Sequence, residues 1–415
     1  MTPCRRARGC ACHWLKGLSA TIVVAGLLIP ATKAFALWDD RLGLFVEEKV
    51  TRDDNVFRLS RDLDPAAFIG SPSRGDTYRT ASLGFNLDAP VSRQRFQAGL
   101  TWNKTRYDRF TDLDLTGREA RAVWLWQFGN DLAGQLGYTE TFSLASFANI
   151  QGTTPDRLKI QQAFYNATFL ATPRWRLQTG VNGLEQTNSD PARQANDVKI
   201  LSSSFSVSYV TPANTSVGLG LRAEGGRFPN RQLLAGGFFD NAYRQYGAGI
   251  VADWTPTGHS HLAARADRVG RRYEQVPQRD FDGNTARVDY DWKPTGKFSL
   301  AAIVQRDISA YEDVRSSFVF VRGVTLRPAL RVTEKIDVSG TLDYSVRDYL
   351  GDPGLVFGVT PSRTDRVRSA AATISYRPIR SLALSMSAQR EIRSSNLAFV
   401  DYAVNVFSIT ARITF

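Results

Sequence analysis

Apolar and polar residues alternate strictly along this chain in stretches of about ten residues, and this period of two restricts the fold more than any other feature. Phe96, Ala98, Leu100 and Trp102 alternate with Arg95, Gln97, Gly99, Thr101 and Asn103. Ile336, Val338, Gly340, Leu342, Tyr344 and Val346 alternate with Lys335, Asp337, Ser339, Thr341, Asp343 and Ser345. Leu382, Leu384, Met386 and Ala388 alternate with Ser381, Ala383, Ser385, Ser387 and Gln389. Successive side chains of a strand point to opposite faces, so each stretch predicts a strand with one apolar and one polar face.

The connections have two lengths that take turns. Short ones are marked at Ala89-Pro90, Gly129-Asn130, Thr172-Pro173, Thr211-Pro212, Thr255-Pro256, Lys293-Pro294, Arg327-Pro328 and Arg377-Pro378. Proline cannot donate to a ladder, so it is read as a strand end. Longer polar connections include 52–77, 143–158, 186–197, 226–241, 270–283 and 347–364. Eight short turns and nine long connections give eighteen strands, with the first at Arg41. The count is even, so both ends lie on the short-turn side. Short periplasmic turns and longer extracellular loops are the pattern of an outer-membrane barrel.

A soluble sandwich alternates too, and three features decide against it. Trp124, Trp126, Phe128, Phe169, Tyr209, Trp254, Trp292 and Tyr376 collect beside the short turns, as an aromatic girdle requires. The opposite face is polar: Ser202, Ser204, Ser206 and Ser208 form one stripe, and the mean hydropathy is −0.26. Phe407, Ile409, Ala411, Ile413 and Phe415 take every second position of the last strand, an expected signal for the outer-membrane assembly machinery. In lipid every backbone group needs an internal partner, and a closed all-β antiparallel barrel supplies it.

The N-terminus reads as a secretory signal peptide over residues 1–36. Arg5, Arg6, Arg8 and Lys16 precede the apolar run Leu18–Ile29, Pro30 breaks it, and Ala34-Phe35-Ala36 fits a small-x-small cleavage site. The run is too short for a spanning helix, which needs about 20 residues. The barrel then occupies 37–415. Cleavage removes Cys4, Cys10 and Cys12, so no disulfide or thiolate site is expected. It also removes five basic residues and lowers the net charge of +12 to +7. The remaining cations are spread and interleaved with acids, which argues against a nucleic-acid partner.

The chemistry-bearing residues are few. His259 and His261 follow the Thr255-Pro256 turn; a barrel hydrolase would need one of them beside a nucleophile or carboxylate. No Gly-x-Ser-x-Gly is present. Asp53, Asp54, Asn55, Asp62 and Asp64 crowd the first long loop, where spaced carboxylates could take calcium, but the EF-hand spacing is missing and a solvated acidic loop is expected. No cofactor or metal is expected.

Alternation also places Arg95, Arg176, Arg222, Arg265, Asp267, Arg287, Asp289, Asp337, Asp343, Arg347 and Arg412 on the lumen face. A charge at mid-bilayer on the lipid face costs about 2–4 kcal/mol, so the inward choice is forced. Such residues either set a transverse field and contact a polar solute or neutralise one another in the wall. No globular plug precedes the first strand, which argues against a TonB-dependent transporter, and an eighteen-strand barrel has room for an aqueous lumen.

The stretch Asp53-Asp54-Asn55-Val56-Phe57-Arg58, within Leu37–Ser60, resembles the EpsL-type outer-membrane proteins of exopolysaccharide loci, often associated with exosortase. The resemblance covers about 25 residues, and beyond them only architecture and length agree. It implies a non-enzymatic channel or assembly component for a secreted polysaccharide and names no catalytic residue. The alternation itself is equally satisfied by a general or sugar-selective diffusion porin, and the third reading is an outer-membrane hydrolase.

Overall fold

Each stretch of alternation forms a strand, and the strands close on themselves. The computed structural model describes residues 41–148, 152–230, 242–274, 277, 280–309, 318–350 and 363–415. The expected signal peptide, 1–36, lies outside the described residues, as do parts of the connections at 226–241 and 347–364. The first half of the barrel runs β1 (Leu42–Asp53), β2 (Asp76–Val91), β3 (Gln94–Tyr107), β4 (Leu115–Phe128), β5 (Leu132–Leu144), β6 (Arg157–Thr172), β7 (Trp175–Asn188), β8 (Val198–Val210) and β9 (Ser216–Arg227). The second half runs β10 (Tyr243–Thr257), β11 (Ser260–Tyr273), β12 (Phe281–Trp292), β13 (Phe298–Ser309), β14 (Phe318–Arg331), β15 (Ile336–Leu350), β16 (Arg363–Ile379), β17 (Leu382–Ser395) and β18 (Tyr402–Thr414).

Every strand pairs antiparallel with its sequence neighbours, and β18 pairs with β1 from Phe45↔Thr414 to Asp53↔Val406. The sheet therefore has eighteen strands and no free edge, which is the condition for standing in lipid. Both chain ends of the barrel lie on the short-turn side, where the Phe415 amide donates to the Leu44 carbonyl at 2.8 Å.

Proline is a poorer marker of strand ends than its missing donor suggests. Pro90, Pro256, Pro328 and Pro378 all lie inside strands. The ladder adapts around three of them. Register shifts between Trp254 and Thr257 and between Tyr376 and Ile379, and the β14–β15 pairing is interrupted, with its register kept, between Leu326↔Leu342 and Ala329↔Ser339. Each irregularity lets the ladder pass a residue that has no N–H to give.

The outer face carries the large exposed apolar side chains, including Leu83, Trp102, Leu219, Ile250, Ile374 and Met386. Phe407, Ile409, Ile413 and Phe415 stand on the same face. The girdle residues named above share it beside the short turns. Trp126 is the extreme case: it stacks near Tyr165 with ring centroids 6.0 Å apart and lies over Gly134, where any Cβ would collide with the indole. The fold is thus inverted relative to a soluble protein, apolar outside and polar within.

Candidate functional site

Inward-facing side chains are recognised by contacts that skip strands, which only a concave surface allows. Arg222 on β9 donates through Nη2 to Thr285 Oγ1 on β12 at 3.1 Å and lies 3.6 Å from Asp307 on β13. The same guanidinium is 3.9 Å from Asp267 on β11, which Arg265 holds at 2.6 Å. Next along the wall, Arg287 donates to Asp289 at 2.7 Å and to Gln305 at 3.1 Å. Nearer the long loops, Arg271 donates to Gln245 at 2.9 Å and lies 4.0 Å above the Tyr243 ring, while Tyr243 donates to Glu224 at 2.8 Å. Arg222, Arg265, Asp267, Arg287 and Asp289 therefore stand together in one ladder of alternating charge. Several of its buried donors lack an acceptor: Arg222 Nε, Arg265 Nη2 and both Arg271 terminal nitrogens have no hydrogen-bond acceptor among the described residues.

A second group lies on β15–β18. Arg363 and Asp365 pair at 2.6 Å, Arg393 stands 3.6 Å from the same carboxylate, and Asp365 is fully buried. Arg363 and Arg393 also cover the rings of Tyr349 and Tyr402 at 4.2 and 5.1 Å. Arg347 is in register with Asp365, and Asp343 accepts from Thr325 at 2.7 Å. The remaining inward charges are dispersed toward the short turns. Arg95 pairs with Asp88, Asp337 with Arg331 and Arg377, and Arg412 with Glu47 at 3.8 Å while lying over Phe45. Arg176 stands opposite Ser208. The eleven residues named from the sequence are thus not one site but two groups and four outliers.

Sequence reasoning missed the mouth. The acidic first loop is solvated only in part: Asp54, Asp62 and Asp64 are exposed as expected, but Asp53 is buried. Asn55, Val56, Phe57, Leu59 and Ser60 are all buried. Asn55 closes the turn by accepting from Leu59 N at 2.9 Å and donating to Leu59 O at 2.9 Å and Ala403 O at 3.1 Å. Arg58 sits in the left-handed region (φ 55°), a strained place for a non-glycine residue, with its guanidinium 2.9 Å from Asp53. Phe57 then meets Phe110 and Phe147 at 4.9 and 4.8 Å, from the second and third long loops. Arg193, in the fourth, lies 5.8 Å from the Phe147 ring. Arg193 and the amides of Ser189 and Asp190 surround Asp156. Arg393 donates to the Ala148 carbonyl, although β17 lies six strands round the barrel from β5. Four loops therefore knit around one apolar cluster at the mouth and reach the lumen wall. The signal for this was the apolar pair Val56-Phe57 inside an acidic loop.

The bland features separate cleanly. His261 lies 3.0 Å from Asp253 and 4.0 Å from Asp291 on the inner face, but Ser260 points the other way and bonds Tyr290 at 3.2 Å. No serine nucleophile stands beside the imidazole among the described residues. Asp54 is bonded to Asn405 and Asp64 caps a short helix at Ala66, so the loop carboxylates diverge. Among the described residues no group of metal-binding side chains is assembled.

Residues 269–415, from the end of β11 through β18, match the family described as "Putative beta-barrel porin 2". The chain is a porin-like outer-membrane β-barrel. No curated protein matches it. Solved structures similar in fold include the outer-membrane protein OpdK of Pseudomonas aeruginosa, at 10% identity and a TM-score of 0.44 over 91% of this chain and 100% of that one. OccK2 (OpdF) of the same organism gives 11% and 0.46 over 91% and 98%. The alcaligin outer-membrane receptor FauA of Bordetella pertussis gives 11% and 0.38 over 89% and 76%.

Proposed function

We propose that the barrel is a non-enzymatic, carbohydrate-selective passage serving a secreted polysaccharide. The observation that carries this is the ladder on β9–β13. It offers closely spaced carboxylates, amides and guanidiniums along one wall, with Arg287, Asp289 and Asp307 accessible, the chemistry that exchanges hydrogen bonds with a run of sugar hydroxyls or uronate groups. The resemblance of Asp53–Arg58 to EpsL-type proteins supports the polysaccharide assignment. The test is conductance of the purified protein in planar bilayers together with the polysaccharide secreted by a deletion strain. Channel activity blocked by acidic oligosaccharides, and loss of secreted polymer on deletion, are expected. Absence of conductance together with unaltered polymer rejects the reading.

The second reading is a diffusion porin unconnected to polysaccharide synthesis, and the porin-family match over β11–β18 favours it. Deletion then leaves secreted polymer unchanged and slows uptake of small sugars. On either reading residues 1–36 act as a cleaved export signal, and the lipid-facing last strand serves barrel assembly.

A further inference from the structure

Charge on the outer face is confined to one end of the barrel. Among the described residues, outward strand positions beside the short turns carry no Lys or Arg, only aromatic, aliphatic and small polar side chains. Beside the long loops the composition reverses. From β16 round the β18–β1 closure to β3, Arg366 and Arg368, Arg390, Arg52, Arg79, and Lys104 and Arg106 all point outward and are exposed. Each lies within five residues of its strand's loop end, at the edge of the apolar band rather than in its middle, where a long side chain can lift its charge out of the hydrocarbon.

These cations are poorly neutralised by the protein. Arg79, Lys104, Arg106, Arg366 and Arg390 have no acidic partner among the described residues, and Arg52 bonds only the Thr77 hydroxyl at 3.1 Å. Arg79 and Arg106 are directly opposed across β2 and β3, a like-charge placement that weakens a sheet unless an anion bridges it. The acids nearby do not repair this. Asp54 is engaged by Asn405 at 2.6 Å, Glu48 stands between Ala81 and Ala411, and Asp108 lies past the end of β3. Elsewhere on the same rim most outward cations are paired, as in Arg118–Glu140 at 2.6 Å and Arg322–Asp348 at 2.7 Å, while Arg227, Arg268 and Arg306 have no acidic partner among the described residues. The excess is therefore densest in the sector from β16 to β3.

We propose that this sector docks phosphate-bearing glycolipid headgroups of the outer leaflet. Long loops lie outside, so the sector meets that leaflet at headgroup level. A lipid phosphate can accept from two neighbouring guanidiniums at once while its acyl chains lie on the apolar band below. The inference does not depend on what crosses the lumen.

Native mass spectrometry of the detergent-purified full chain tests it, with diphosphoryl lipid A, its dephosphorylated form and inorganic phosphate as probes. Diphosphoryl lipid A is expected to be retained and the dephosphorylated form lost. Joint R79Q, K104Q and R106Q substitution is expected to weaken retention about a hundredfold. Joint R174Q and R380Q substitution in the short turns is expected to leave it unchanged. Equal retention of the two lipids, an undiminished triple variant, or equal weakening by the short-turn variant overturns the proposal. Full displacement by millimolar inorganic phosphate makes the site a general anion site and also overturns it. If the triple variant does not fold, R79Q alone, with an expected loss of about fivefold, and the two lipids on the unaltered chain decide the matter.

Discussion

Asp365 shows what a single residue does in this wall. Its carboxylate is buried and held by Arg363, with Arg393 close behind. A buried ion pair adds little net stability, but breaking one leaves uncompensated charge. Asp365→Asn is therefore expected to destabilise the barrel by about 3–5 kcal/mol, read from urea unfolding in lipid vesicles. Removing Arg363 in the same chain should restore part of the loss; a double variant no better than the single one would contradict this account. Asp289 is different, because it lies half-exposed in the ladder beside Arg287. Asp289→Asn is expected to spare folding and to shift ion preference toward anions, seen as a changed reversal potential under a salt gradient. An unchanged potential would mean that the ladder does not face the conduction path.

At the scale of elements, the strands were legible and the mouth was not. Alternation together with the count of short and long connections gives eighteen strands, because each outward side chain must meet lipid and each inward one a polar lumen. Pro328 misleads because a closed ladder can skip a residue, a property of the partner strand rather than of local sequence. The Asp53–Arg58 segment misleads for a related reason. Its partners, Ala403 and Asn405, lie at the far end of the chain and become neighbours only on closure. Charge density alone makes the loop look solvated. In fact it is a small folded element whose keystone is Phe57. Phe57→Ala is expected to cost the loop cluster about 3 kcal/mol, to expose residues 54–75 to protease, and to raise single-channel conductance, with the strands unaffected. Unchanged conductance alongside new proteolysis would show that the loop cluster does not narrow the channel.

For the whole molecule, the argument rests on two solvents, lipid outside and water within, acting on alternate residues of the same strand. The lumen charges followed from that rule. The basic rim did not, because Arg366 and Arg368 break the rule at the one depth where breaking it is cheap. The rule makes a paired prediction. Leu221 is 59% exposed at the middle of β9 on the outer face, and Leu221→Arg is expected to cost about 2–4 kcal/mol in phosphatidylcholine vesicles. Thr101 lies at the middle of β3 on the inner face, in register with Glu119, and Thr101→Arg is expected to change stability by less than about 1 kcal/mol. The same charge is added at similar depth in both, so the difference isolates the face. If the two variants unfold alike, the apolar band is not in contact with hydrocarbon, and the orientation from which the lumen ladder and the basic rim are both derived fails with it.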